Sequence, residues 1–195
     1  MLKRIAVLVS GGGTNLQALI DAQKNGIIKS GKIVTVVSNK PDVYALKRAE
    51  DAGIESAVIT KKEYGENFDN VLAEYLIERK IDVVVLAGFL AIIKKPLLDA
   101  FPDRIVNVHP SLIPSFCGDG FYGLKVHEAA LEYGVKVTGA TVHFVNEITD
   151  GGKIIMQKAV EIKDGDTPEI LQKRVMEEAE WKILPAAVEK LCSSF

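Results

Sequence analysis

Three short stretches of the chain hold residues that could do chemistry. Asn107 and His109 stand two apart in Asn107-Val108-His109-Pro110. In a strand, side chains two apart share a face, so the amide and the imidazole would point the same way. An amide N–H can donate to a developing oxyanion; a protonated imidazole can do the same and also deliver a proton. Two polar residues closing a strand would give the same pattern. The second stretch is Ser10-Gly11-Gly12-Gly13-Thr14-Asn15. Glycines let the backbone turn tightly and offer unobstructed N–H groups, and a helix beginning there adds the positive end of its dipole. An anion such as phosphate fits. A tight turn without a ligand is the other reading, but three glycines exceed what a turn needs. The stretch lacks the Gly-Lys-Ser/Thr of a Walker loop, and Leu16 stands where a dinucleotide fingerprint has its third glycine. The third stretch, Asp150-Gly151-Gly152, is by itself a turn signal. It gains chemical meaning only if the fold brings Asp150 beside His109, where a carboxylate would orient and charge the imidazole.

Other reactive side chains suggest less. His127 falls on a helical pattern and reads as a packing or surface residue; His143 alternates with Val142 and Phe144 and reads as a sheet residue. Cys117 and Cys192 are the only cysteines, too far apart for a zinc spacing or a disulfide framework, and no metal site is expected. Lys61-Lys62 reads as a solvated pair.

The elements that must position these stretches follow from periodicity. Ile5 to Val9 is an unbroken apolar run between charges and glycines, as expected of a strand buried on both faces. Helix from Asn15 to Lys24, strand Ile33 to Val37, helix Val43 to Ala52 and strand Ser56 to Ile59 follow. Phe68, Val71, Leu72, Tyr75 and Leu76 lie on one helical stripe. Asp82 to Gly88 and Arg104 to His109 are further strands, with a short helix from Leu97 to Phe101 between them. Alternation of strand and helix predicts parallel crossovers. The second half differs. A helix near Lys125 to Glu132 precedes two runs, Val135 to Val145 and Lys153 to Ile162, that suit an antiparallel extension. A last helix starts at Thr167 as N-cap with Pro168 at its first position and runs to about Pro185, with a short tail helix beyond. The expected architecture is α/β: one domain over residues 1–195, a Rossmann-like, mostly parallel sheet flanked by helices, with an antiparallel extension in the C-terminal half. Pro110 to Gly123, long and glycine-containing directly after His109, reads as a mobile lid.

Taken together these motifs resemble the formyl-transferase family, and within it the members that act in purine biosynthesis. The resemblance spans roughly Arg4 to Pro185. It is carried by Ser10 to Ala18, Val84 to Phe89, Asn107 to Phe116, Thr138 to Val145 and Asp150-Gly-Gly in that order. It implies formyl transfer from 10-formyltetrahydrofolate, a co-substrate, to the glycinamide amine of N1-(5-phosphoribosyl)glycinamide. The implied catalytic trio is Asn107, His109 and Asp150. The implied substrate contacts are Gly12, Gly13, Thr14 and Asn15 for the phosphate and Glu180 for the glycinamide end. The implied folate contacts are Leu90, Ala91, Ile92 and Ile93, Asn107, the segment Asn146, Glu147, Ile148, Thr149 and Asp150, and Lys62 for the folate tail. Where some members have Met-Arg this chain has Leu90-Ala91, and where they have His it has Lys125.

Composition narrows the partners. A net charge of −2 without a basic run argues against a nucleic-acid-coating surface. With 48% apolar residues the chain can bury a full core, yet no run is long enough to span a membrane. Small-molecule substrates and a cytoplasmic location are expected, and a homodimer is left open. Within the family, a methionyl-tRNA formylating enzyme would be expected to carry a further basic C-terminal domain, and a formyl-folate hydrolase an N-terminal regulatory one.

Overall fold

The computed structural model describes residues Met1–Phe195. The chain alternates β1 (Lys3–Val9), α1 (Thr14–Lys24), β2 (Gly31–Ser38), α2 (Tyr44–Asp51) and β3 (Glu55–Val58). A short helix α3 (Lys61–Tyr64) and a 3₁₀ turn lead into α4 (Phe68–Glu78), β4 (Val83–Leu86), α5 (Lys95–Ala100) and β5 (Ile105–His109). Then follow α6 (Leu124–Tyr133), β6 (Val137–Phe144) and β7 (Ile154–Glu161). One sheet holds all seven strands in the order β3-β2-β1-β4-β5-β6-β7. The first five are mutually parallel, and β6 and β7 add on antiparallel. This is the α/β architecture expected from the sequence.

The apolar run of β1 explains why the sheet is covered on both faces. Ile5, Val7 and Val9 pack with Leu16 and Leu19 of α1 and with the C-terminal helices. Ala6 and Leu8, pointing the other way, pack with Phe68, Leu72 and Leu76 of α4 and Leu97 of α5. A strand buried on both sides must be apolar at every position, not at alternate ones.

The C-terminal helix departs from expectation. Thr167 does cap it, its hydroxyl accepting from Ile170 N, but the single helix to Pro185 is instead three segments. These are α7 (Pro168–Val175), a π-helical segment (Met176–Glu180) and α8 (Trp181–Cys192), with Pro185 inside α8. A proline inside a helix costs about 3 kcal/mol. Here the ladder is already shifting register just upstream, and Ile183, Leu184, Val188 and Leu191 are buried against the sheet. At roughly 1.5–3 kcal/mol for each large side chain, that burial outweighs the proline.

The core assignment predicts an asymmetry within α4. Leu72→Ala should cost about 2–5 kcal/mol, read from the denaturant midpoint. Ile77→Ala, on the exposed side of the same helix, should cost under about 0.5 kcal/mol. Equal costs would contradict the assignment.

Candidate active site

In an open parallel sheet, ligands bind beyond the carboxyl ends of the strands where the order reverses. Here the reversal lies at β1, from which β2 and β4 lie on opposite sides. The three strand ends are stitched together. Ser10 N donates to Gly88 O at 3.1 Å. Ser10 Oγ donates to Asn39 Oδ1 at 2.7 Å and accepts from Leu90 N at 2.9 Å. A cavity of about 800 Å³ opens above this junction and extends over the end of β5.

The chemical groups gather at the β5–β6 end. Asn107 pairs with His143 across the antiparallel register, and His109 with Thr141. Directly paired residues place their side chains on one face. His143 Nδ1 lies 2.8 Å from Phe144 O, so Nδ1 carries a proton. Nε2 of the same ring lies 3.2 Å from Asn107 Nδ2.

Asp150 arrives on the turn after β6 and is buried between the two imidazoles. Its Oδ2 is 3.5 Å from His109 Nδ1 and its Oδ1 is 3.5 Å from His143 Nε2. The turn can fold this closely because of Gly152: a Cβ there would sit 1.7 Å from Phe144 O. Gly118 N donates to Asp150 Oδ2 at 2.9 Å, and Thr149 Oγ1 to Asp119 Oδ1 at 3.0 Å, tying the 110–123 loop to the turn. The first part of that loop is anchored as well. Thr141 Oγ1 donates to Ser111 O and accepts from Ile113 N. The expectation of a lid therefore narrows to residues 120–123, which line the cavity.

Both nitrogens of His109 face oxygen acceptors, Asp150 Oδ2 at 3.5 Å and Phe116 O at 2.8 Å. Only the doubly protonated ring can donate to both. Burial works in the opposite direction and holds the His109 pKa below its ordinary range, while Asp150 and the Phe116 carbonyl draw it back up. The expected influence of Asp150 is present, but the net direction is down. For Asp150, burial opposes ionisation; the His143 bond, the His109 charge and Gly118 N–H outweigh it, and the carboxyl titrates below its usual range.

The sequence-predicted residues divide. Asn107, His109, Asp150, Leu90 to Ile93, Asn146 to Thr149, Asn15 and Glu180 all line the one cavity. Gly12 and Thr14 are exposed beside it and Gly13 is half-buried. The first main-chain bond of α1 runs from Gln17 N to Gly13 O at 2.9 Å, leaving the preceding N–H groups free for an anion. One side-chain donor of Asn15 is already engaged. The residue is buried, and Nδ2 donates to Glu180 Oε2 at 2.6 Å. Burial pushes the Glu180 carboxyl above its usual range and Asn15 draws it partly back. The π-helical segment ends on Glu180, whose side chain thereby reaches the cavity. Lys62 is exposed on α3 and is not among the lining residues. The chain from Thr60 to Asn67 coils into two short surface turns there.

Sequence reasoning passed over three residues. His143 belongs to the cluster, and only the antiparallel register reveals it. His127, on α6, is fully buried, as its packing alternative has it, but neither ring nitrogen has a partner in the protein, and burial, reinforced by the nearby His109, lowers its pKa to about 4. Lys40, just past β2, is the only lysine or arginine lining the cavity.

The fold and the site together define a Rossmann-like α/β protein whose strand-end cavity carries an amide, two imidazoles and a shared carboxylate. Residues 3–188 match the formyl transferase family, and the chain belongs to that family. It is 41% identical to the phosphoribosylglycinamide formyltransferase of Haemophilus influenzae, over 96% of this chain and 86% of that protein. It is 47% identical to the human trifunctional purine biosynthetic protein adenosine-3, over 97% of this chain but only 18% of that protein. The chain thus spans about a fifth of the trifunctional relatives. The crystal structure of glycinamide ribonucleotide transformylase 1 from Symbiobacterium toebii superposes with a TM-score of 0.92 at 43% identity, covering 98% of this chain and 88% of that one.

The geometry around His109 yields a titration experiment. By NMR, the His109 ring should titrate below about 6.5, the value of an unperturbed histidine. Asp150→Asn removes the main upward influence and should move it lower still. An unchanged midpoint in that variant would show that Asp150 holds the ring in place without tuning it.

Proposed function

We propose that the protein transfers the formyl group of 10-formyltetrahydrofolate to the glycinamide amine of N1-(5-phosphoribosyl)glycinamide, a step of de novo purine biosynthesis. The observation that carries this reading is the order of groups along one cavity. Free main-chain N–H groups at the start of α1 suit the phosphate. The Asn107–His109–Asp150 cluster suits the formyl carbon. The wall from Leu90 to Ile93 and the segment Asn146 to Thr149 suit the folate. The names of the relatives agree with it.

The reaction asks little beyond placement and charge. The neutral amine attacks the formyl carbon and a new C–N bond forms. The carbonyl oxygen becomes an oxyanion beside Asn107 and His109. As that charge develops, the imidazolium, its N–H groups held by Asp150 and Phe116 O, lies beside a second anion, so its proton is bound more tightly in the transition state than in the free enzyme. Stabilisation confined to the transition state raises kcat. The C–N bond to the folate then breaks, and the proton lost by the amine ends on the departing folate nitrogen. Glu180 and Asn15 hold the acceptor near the start of α1. The activity is assigned to one domain, residues 1–195, in the cytoplasm, with a homodimer as the assembly to look for.

Mixing the protein with 10-formyltetrahydrofolate and phosphoribosylglycinamide should produce the absorbance change of deformylated folate only when both are present. Turnover with folate alone would indicate a hydrolase and overturn the proposal. Asn107→Ala should lower kcat by roughly 10²- to 10³-fold, as for loss of one oxyanion donor. A change confined to KM would remove Asn107 from that role.

A further inference from the structure

The glycine loop does not hold its shape alone. Gly11 O accepts from Ala45 N at 3.2 Å and Gly12 O from Arg48 Nε at 2.8 Å. Both donors belong to α2. Arg48 is itself fixed: its Nη1 donates to Gln17 Oε1 at 3.0 Å, and its guanidinium carbon lies 4.8 Å from the centre of the Tyr44 ring. The loop also lies against α2 at Gly13, which has a φ of 73°; a Cβ there would come within 2.7 Å of Ala45 Cβ.

From this geometry we infer that Arg48 is a positioning residue for the substrate phosphate, setting the direction in which the glycine loop presents its N–H groups. In a trans peptide the C=O and the following N–H point in opposite directions. Tying Gly11 O and Gly12 O to α2 therefore turns Gly12 N–H and Gly13 N–H away from α2, beside the free N–H groups at the start of α1. Successive N–H groups oriented alike make an anion-binding concavity. A cationic donor on the carbonyl also polarises its peptide and strengthens the N–H at the far end. Arg48 thus acts on the phosphate through the loop, without touching it. Its planar fork bonds the loop carbonyl and Gln17 together, which a point-like ammonium cannot reproduce.

The inference rests on the assignment of the loop to the phosphate, and the test separates the two. KM and kcat are measured for wild type, Arg48→Met and Arg48→Lys with phosphoribosylglycinamide and with the same acceptor lacking its 5′-phosphate. Wild type should prefer the phosphorylated acceptor strongly; no preference would overturn the loop assignment itself. Arg48→Met should raise KM for the phosphorylated acceptor by roughly 10- to 100-fold, the size expected for a charge-assisted bond. KM for the dephosphorylated acceptor, KM for the folate and kcat should hold. Arg48→Lys should recover part of the loss. General structural damage would instead move every parameter. If wild type prefers the phosphate and Arg48→Met keeps the wild-type KM, or raises KM equally for both acceptors, the role of Arg48 is refuted. Should the methionine variant fail to fold, the lysine variant decides alone: an intermediate rise confined to the phosphorylated acceptor supports the role, and none refutes it.

Discussion

The site depends on a carboxylate buried between two imidazoles. Removing an isolated carboxylate from water costs several kcal/mol, and only close, well-directed partners offset it. Asp150 has three: His109 and His143 at 3.5 Å each and Gly118 N–H at 2.9 Å. These partners are also the parts of the site that need fixing in place. Asp150, held in this way, orients both imidazoles. It also anchors the loop that walls the cavity, and through His143 it reaches the amide of Asn107. Position and charge at this centre are one interaction.

The two halves of the sheet divide the remaining work. Parallel β1 and β2 end in backbone suited to an anion, with Lys40 nearby and the carbonyls of Gly11 and Gly12 engaged by α2. The antiparallel addition of β6 supplies what a parallel sheet does not. It places His143 opposite Asn107 and lets the next turn fold back onto the strand it has just left. The exposed apolar residues Leu90, Ile92 and Ile148 lie on the cavity wall between these ends, where a flat ring system could cover them. Exposed apolar side chains gathered on one cavity wall suit a binding role.

Much of this was legible in the sequence, for physical reasons that differ by element. The β1 run and the α4 stripe announce themselves because burial imposes period and composition. Asn107 and His109 could be placed on one face because strand geometry fixes that parity. His143 could not. Its role comes from a pairing with β5, 36 residues away, and local alternation made it look like any sheet residue. The engagement of Asn15 by Glu180 was hidden for the same reason, since 165 residues separate them. The π-helical segment was invisible because its composition suits an ordinary helix. Pro185 misled because a local breaker was outweighed by burial that only the tertiary structure reveals. The pKa of His109 was legible in its parts and not in its balance, because depth of burial is not written in the neighbouring residues.

The central claim is that His109 and Asp150 act as one unit. A double-mutant cycle on kcat, with His109→Ala, Asp150→Asn and the combined variant, tests it most directly. Each single change should slow turnover by roughly 10²- to 10⁴-fold. If the carboxylate works through the imidazole, the double variant should be scarcely slower than the slower single, because groups that act together are lost together. Losses that multiply, leaving the double variant slower by the product of the two, would mean that His109 and Asp150 contribute independently and would contradict the account.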